Sequence, residues 1–209
     1  MRTPSKRDQI LDAFHELLIN DNIHHISVSD IAKQAGISKG SIYYYFSSKD
    51  EILDALIERI YADAVALAKE LISQTDLSIF TRLSQIINAC IAATQDFIRR
   101  SELSKETTVT TDLLYGSAYI HQQFMKYNIG GFKEIFTEII QQEIDKGTIQ
   151  VDSAAEIAEI VLIVLTVKLD NILSPATEEE ISKTLQAMIT LLERGTGNHE
   201  GAFGITFLK

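Results

Sequence analysis

One cysteine, two prolines and no tryptophan occur among the 209 residues. A lone Cys90 cannot close an internal disulfide, and a thiol framework or zinc cluster needs several such ligands. Cys90 stands in the apolar run I-I-N-A-C-I-A-A, where it reads as a small buried hydrophobe. With so few prolines, and with Ile, Leu, Ala, Glu and Gln abundant, the composition favours helix. A long apolar run is also missing. The most apolar stretch, residues 157–173, carries Glu159, Thr166, Lys168 and Asp170, whereas a spanning helix wants about 20 apolar residues with few charges. The N-terminus, M-R-T-P-S-K-R-D-Q, leads into an amphipathic segment and does not read as a signal peptide. The expectation is a soluble, cytoplasmic, all-α protein with no membrane partner.

Catalytic and metal patterns are scarce as well. The five histidines are scattered at positions 15, 24, 25, 121 and 199. His24 and His25 are adjacent, and adjacent residues do not share a helix face for a metal. No H-E-x-x-H, Walker loop, G-x-S-x-G or Rossmann glycine string occurs. No metal, no cofactor and no enzymatic activity are therefore expected. Basic charge is short too: 19 Lys+Arg face 29 Asp+Glu, a net charge of -10. Taken alone, that balance argues against a polyanionic partner.

What is present is helical periodicity. Ile10, Leu11, Phe14, Leu17 and Leu18 share one helix face, and the polar run at Asn20–Asn22 ends it. Ser27-Val28-Ser29-Asp30 is an S-x-x-D start signal for a second, short helix with Val28, Ile31, Ala32 and Ala35 on its buried stripe. Gly36 suits the left-handed turn that closes such a helix. Ser38 then caps a third helix, Lys39 to about Phe46. Ser48-Lys49-Asp50-Glu51 opens a fourth, with Ile52, Leu53, Leu56, Ile57 and Ile60 inward, running past Tyr61 into Leu71 as a rigid joint to the C-terminal part. Two short helices around a glycine turn predict a helix-turn-helix, whose second helix enters the DNA major groove. Ile37, Ile42 and Phe46 suit the core. Ser38, Lys39, Gly40, Ser41, Tyr43, Tyr44 and Tyr45 offer hydroxyls, a cation, a close-approach glycine and phenols for phosphates and base edges. At 100° per residue the three tyrosines cannot all face DNA.

The string D-I-A-K-Q-A-G-I-S-K-G-S-I-Y-Y-Y-F-S-S-K-D-E-I-L resembles the N-terminal signature of the TetR family of bacterial transcriptional regulators, from about Lys6 to Ile60. The resemblance implies a homodimer whose subunits pair an N-terminal three-helix DNA-binding domain, residues 3–61, with a helical ligand-binding and dimerisation domain, residues 62–209. It also implies that Lys39, Ser41, Tyr43, Tyr45 and Lys49 occupy DNA-contact positions; Tyr45 stands where the family often has His. Lys49, at a helix N-terminus, is expected at a phosphate. Lys6 of the basic arm, and Ser27 and Ser29 at the second helix, complete the expected DNA-binding set.

Beyond residue 61 the patterns predict helices over 79–100, 105–127, 131–146, 153–173 and 177–194. Capping boxes are read at Ser153 and Thr177, and glycine stops at Gly147 and Gly195. The Ser153 helix is apolar on nearly every side, which calls for burial all round. Ile157, Ile160, Val161 and Val164, with Ile181, Leu185, Met188, Ile189 and Leu192 of the last helix, are expected to form a four-helix dimer interface. One ordinary core with no partner is the alternative. An effector site is sought among the middle helices, with Phe80, Phe97, Tyr115, Tyr119, Phe124 and Met125 as walls and Asn88 and His121 as polar handles; Ile87, Leu114, Gln95 and Gln122 are lesser candidates. No basic run points to an anionic ligand, so an apolar or cationic small molecule is preferred. The tail from Gly197 has no helix period and reads as either loose or an apolar strap.

The expected function is a ligand-responsive transcriptional repressor that binds a palindromic operator in double-stranded DNA as a homodimer and is released by a small molecule. The alternative is a helical small-molecule-binding protein without operator-specific regulation. The charge distribution removes most of the objection to DNA. Residues 1–60 hold seven Lys+Arg and nine Asp+Glu, a balance of -2, against -8 for residues 61–209. Between Ile31 and Lys49 there are three lysines and no acid. A short-range, salt-sensitive contact is the expectation.

Overall fold

The computed structural model describes residues 5–102, 118–170 and 177–198. Tyr115, Leu114 and the tail beyond Asn198 lie outside them. Among the described residues there are eight helices and no strand: α1 Lys6–Asn20, α2 Val28–Gln34, α3 Lys39–Tyr45, α4 Lys49–Ser73, α5 Ile79–Glu102, α6 Ala118–Asp145, α7 Ala154–Asp170 and α8 Glu178–Gly195.

The described residues within 1–62 and 93–124 gather into one compact unit, and those within 63–92 and 125–209 into another. In that unit α1 buries Ile10, Leu11, Phe14 and Leu18 against a core that includes Ile31, Ile42, Phe46, Ile52 and Leu53. Each such side chain removed from water contributes on the order of 1.5–3 kcal/mol, before the entropy of ordering it. Arg59 on α4 pairs with Asp12 on α1 at 2.8 Å and also donates to the Asp8 carbonyl at 3.5 Å.

The core of the second unit takes Ala64, Ala68 and Leu71 from α4, and Leu83, Ile86 and Ile87 from α5. To these are added Phe132, Phe136, Ile139 and Ile140 from α6, Ala158, Val161, Leu162 and Leu165 from α7, and Leu185 from α8. The alanines at i and i+4 on α4 lie on one helix face and let neighbouring side chains approach its backbone. Cys90 is packed against this core, and burial pushes its thiol up to about 12, which leaves it an inert thiol at neutral pH.

Two local expectations differ from the helices that form. The break expected between residues 127 and 131 is absent, and α6 runs continuously through Gly130 and Gly131. A helical glycine costs only about 1 kcal/mol relative to alanine, and Phe132, Ile135, Phe136, Ile139 and Ile140 beyond the pair are all buried. Their burial outweighs two weak residues. At the end of α8, Gly195 stays helical and Thr196 is the C-cap. The left-handed residue is Gly197, at φ +76°. Within the subunit, α7 leaves Ile160 and Ile163 54% and 42% exposed, on a helix whose second face is expected to meet a partner.

Candidate nucleic-acid interface

Each helix of the expected DNA-binding segment starts where a hydroxyl can satisfy its free N–H groups. Ser5 Oγ accepts from Asp8 N at 3.1 Å. At α2, Ser27 Oγ accepts from Asp30 N at 3.3 Å, while the Asp30 carboxylate accepts from Ser27 N at 2.9 Å and from its hydroxyl at 2.6 Å. This is a complete capping box, and those Ser27 hydrogen bonds hold the Asp30 carboxyl below its ordinary range. The α2–α3 turn closes through Gly36 at φ +65°, where a side chain would be strained. Ile37 N returns to the Ala32 carbonyl at 3.0 Å. Ser38 Oγ then accepts from Ser41 N at 3.1 Å and lies 2.9 Å from the Ser41 hydroxyl.

These caps fix the orientation of α3. Ile42, fully buried, is the single buried residue within it, and Phe46 anchors its end. Lys39, Gly40, Tyr43, Tyr44 and Tyr45 are exposed and Ser41 is half-buried. Tyr44 is 84% exposed, with its ring edge-on to Tyr45 at 5.0 Å. A Cβ on Gly40 would meet only Ser38 Oγ at 3.9 Å, so nothing among the described residues needs glycine there. Lys6, Ser27, Ser29, Lys33 and Ser38 are exposed as well. Arg7 is placed 5.3 Å from the Phe46 ring centroid, a cation–π distance.

The start of α4 is built differently from the sequence pattern. Ser48 Oγ accepts from Glu51 N at 3.1 Å, but the Glu51 carboxylate accepts from Ser47, from N at 2.5 Å and Oγ at 2.7 Å. The box expected at Ser48 is thus divided between two serines, and the Ser47 bonds hold the Glu51 carboxyl low. Lys49, expected at a phosphate, is half-buried. Its ammonium donates to the Ile23 carbonyl at 2.6 Å and the Ile26 carbonyl at 2.9 Å, using two of its three N–H groups.

The expected effector residues fall in both units. In the first, Phe97 is buried, stacks on His15 at 4.5 Å and lies 5.9 Å from Phe124, whose ring meets Tyr61 edge-on at 6.1 Å. The Tyr61 hydroxyl is 2.9 Å from Thr94 Oγ1. His121 is buried. Tyr119 donates to Asp50 Oδ1 at 2.8 Å, with its ring 6.1 Å from that of His24. Burial first, then the Asp50 hydrogen bond and the charges of Asp50 and Asp54, push the Tyr119 phenol up to about 12. In the second unit, Phe80 and Met125 are half-buried, Ile87 is buried and Asn88 is exposed; Gln95 and Gln122, in the first, are exposed too. His15 and Tyr61 join these rings, with Thr94 at the Tyr61 hydroxyl, and none of the three was among the expected residues. Only Tyr61 had a signal, since it continues the inward spacing of α4.

Of the expected interface residues, Val161, Leu185 and Ile189 are buried in the subunit's own fold, and Ile157, Val164, Ile181, Met188 and Leu192 are half-buried. Ile160 is exposed, alongside Ile163 and Leu191, which is 73% exposed. Among the described residues no group of three or more His, Cys, Asp or Glu could hold a metal ion, and no helix is long and apolar enough to cross a membrane.

Comparison with known proteins bears on the same segment. Residues 10–56 match the family described as bacterial regulatory proteins, tetR family. The chain is 38% identical over 105 residues to the fatty acid metabolism regulator protein of Bacillus subtilis (strain 168), covering 46% of this chain and 54% of that one. It is 32% identical over 103 residues to the nucleoid occlusion factor SlmA of Aliivibrio fischeri (strain MJ11), covering 49% and 43%. The chain thus spans about half the length of the curated relatives it matches. Among solved structures, the transcriptional regulator FadR of Bacillus subtilis in complex with stearoyl-CoA aligns with a TM-score of 0.61 at 21% identity, over 90% of this chain and 98% of that one. The Thermus thermophilus FadR repressor in complex with lauroyl-CoA aligns with a TM-score of 0.60 at 17% identity, over 90% and 94%. At these identities the structural likeness speaks for the fold.

Proposed function

We propose, for a chain whose residues 10–56 belong to the tetR family of bacterial regulatory proteins, that it is a cytoplasmic, ligand-responsive transcriptional repressor acting on operator DNA as a homodimer. One observation carries the DNA-binding reading. The α3 helix keeps a single residue, Ile42, in the core and turns Lys39, Gly40, Tyr43, Tyr44 and Tyr45 outward, in a stretch from Ile31 to Lys49 without an acidic residue. Large exposed aromatics beside a lysine and a free backbone approach at Gly40 suit phosphates and base edges better than water. Lys39 and Lys6 supply phosphate charge, Tyr43 and the Ser29 and Ser38 hydroxyls reach phosphates, Ser27 holds the cap beside them, and Ser41 with those of Tyr44 and Tyr45 that the helix turns toward DNA reads the groove.

A domain division of 3–61 and 62–209 belongs to the same proposal. Dimerisation joins exposed Ile160 and Ile163 of α7 and Leu191 of α8 to their copies. A two-fold dimer binds half-sites about 34–36 Å apart, one DNA turn, so the operator is a palindrome. A small molecule that prefers another spacing of the two α3 helices shifts the population off DNA. The effector is proposed to carry an apolar chain, and the stearoyl- and lauroyl-CoA held by the two regulators above make long-chain acyl thioesters the first class to test.

The test is a gel shift with the DNA upstream of the chain's own gene. A complex that survives excess scrambled duplex and dissociates steeply with salt is the expected result. Equal affinity for the scrambled duplex would remove the operator-binding reading.

A further inference from the structure

We infer that Lys49 is a positioning residue for DNA binding, whose ammonium holds the loop between α1 and α2 and thereby sets the first turn of α2. The inference rests on the DNA-binding reading above, and deepens it by separating Lys49 from the residues that meet DNA.

The loop, residues 21–27, lies between two helices and has no ladder of its own for its carbonyls. Ile23 and Ile26 turn their side chains into the core, where they are 1% and 3% exposed. The carbonyls of these same two residues receive Lys49 Nζ, at 2.6 and 2.9 Å, from 26 and 23 residues away. A polar group held near the core is costly without a partner, and Lys49 supplies it to both. Ser27 comes directly after Ile26 and is the N-cap of α2. Moving the Ile26 carbonyl therefore moves the cap, and with it the Ser27 and Ser29 hydroxyls.

The place of Lys49 in its own helix supports this reading. It is the first residue of α4, where the helix dipole and the free N–H groups disfavour a cation. The two acids next to it are engaged elsewhere, Asp50 with the Tyr119 hydroxyl and Glu51 with Ser47. The loop carbonyls are the acceptors that make a lysine favourable at this position. Its side chain is half-buried, whereas Lys39 and Lys6 are exposed.

The experiment compares Lys49→Met, Lys49→Arg and Lys39→Met with the wild type. Each binds a duplex that the wild-type protein enriches from a random pool and a scrambled duplex of equal composition, across a salt series. For Lys49→Met the expected result is weaker binding to the enriched duplex with an unchanged slope of log affinity against log salt, a lowered melting temperature, and shifted backbone amide resonances at His24 and Ser27. Lys49→Arg, which keeps N–H donors, recovers the amide positions in part. Lys39→Met, by contrast, lowers the salt slope by about one on both duplexes. If Lys49→Met lowers that slope by about one and leaves the His24 and Ser27 amides in place, Lys49 is a phosphate contact and the inference is overturned.

Should Lys49→Met not fold, the wild-type Lys49 ammonium resonance decides. It is expected to be protected from exchange in the free protein and unmoved by DNA; an unprotected resonance that moves on DNA overturns the proposal. If no duplex is enriched at all, the repressor reading fails, while the amide and ammonium measurements on the free protein still judge the clamp.

Discussion

Arg82 and Glu143 meet at 2.9 Å across α5 and α6, with side chains 0% and 8% exposed. Arg82 also donates to Gln142 Oε1 at 2.7 Å, and Glu143 accepts from Lys146 at 2.7 Å and from the Thr148 hydroxyl at 2.7 Å. Gln142 continues to the carbonyl of Ile72 in the last turn of α4, and Lys146 to that of Thr75 just beyond it. Removing Glu143 would leave the Arg82 charge buried without a counter-charge, at a cost of about 3–5 kcal/mol. Glu143→Ala is expected to lose stability in that range in urea unfolding. A loss under 1 kcal/mol would show that solvent reaches the pair.

The same cluster predicts an acid limb. Burial pushes the Glu143 carboxyl up, but bonds from Lys146 and Thr148 and the charges of Lys146 and Arg82 outweigh it and hold the group below its ordinary 4.5. A depressed folded value means the unfolded chain binds the proton more readily. The contribution of Glu143 is therefore complete above the ordinary value and is lost as pH falls through the folded one. The melting-temperature gap between wild type and Glu143→Gln should be constant from pH 6 to pH 7, a window of about one unit, and close in acid. A gap that widened in acid would reverse the sign assigned to the pair.

Tyr119 and Asp50 give a spectroscopic prediction. The phenol, pushed up to about 12 by burial and by Asp50, should ionise after ordinary tyrosines, which titrate near 10. Absorbance titration should show a late phase that Tyr119→Phe deletes and Asp50→Asn moves to lower pH. If Asp50→Asn leaves the phase where it is, the 2.8 Å bond does not form in solution.

Gly130 is helical, and a Cβ there would meet nothing within 4 Å. Gly130→Ala removes backbone freedom from the unfolded chain without a clash and should stabilise by about 0.4–1 kcal/mol. Denaturant unfolding checks it. Destabilisation would mean that α6 does not stay helical through the glycine pair.

The helix starts at Ser27 and Ser38 were legible because capping is local chemistry: both serines act within three residues of themselves. The left-handed turn at Gly36 was legible for the same reason. Lys49 was not, because its acceptors lie 23 and 26 residues away and a lysine in sequence carries no sign of which oxygens it will find. The 61-residue separation of Arg82 and Glu143 hid their pair equally well. The glycine pair misled for a different reason, since a local weakness was weighed without the burial on its far side. For α7, apolar residues at nearly every position removed the contrast that tells one helix face from another.

That missing contrast bears on the dimer. Val161, Leu185 and Ile189 are spent on the subunit's own fold, at 5%, 2% and 2% exposure, whereas Ile160, Ile163 and Leu191 are open. If two copies associate through α7 and α8, a charge on the open face should separate them without unfolding either. Ile163→Glu and Leu191→Lys are each expected to give a monomer by light scattering, with helical circular dichroism retained. Leu185→Ala should instead destabilise the subunit by about 2–5 kcal/mol through the cavity it leaves. Two half-sites held by one dimer bind far more tightly than either alone, so both charge variants should also lose the gel-shift complex. A variant that stayed dimeric with both charges in place would assign the interface to another surface.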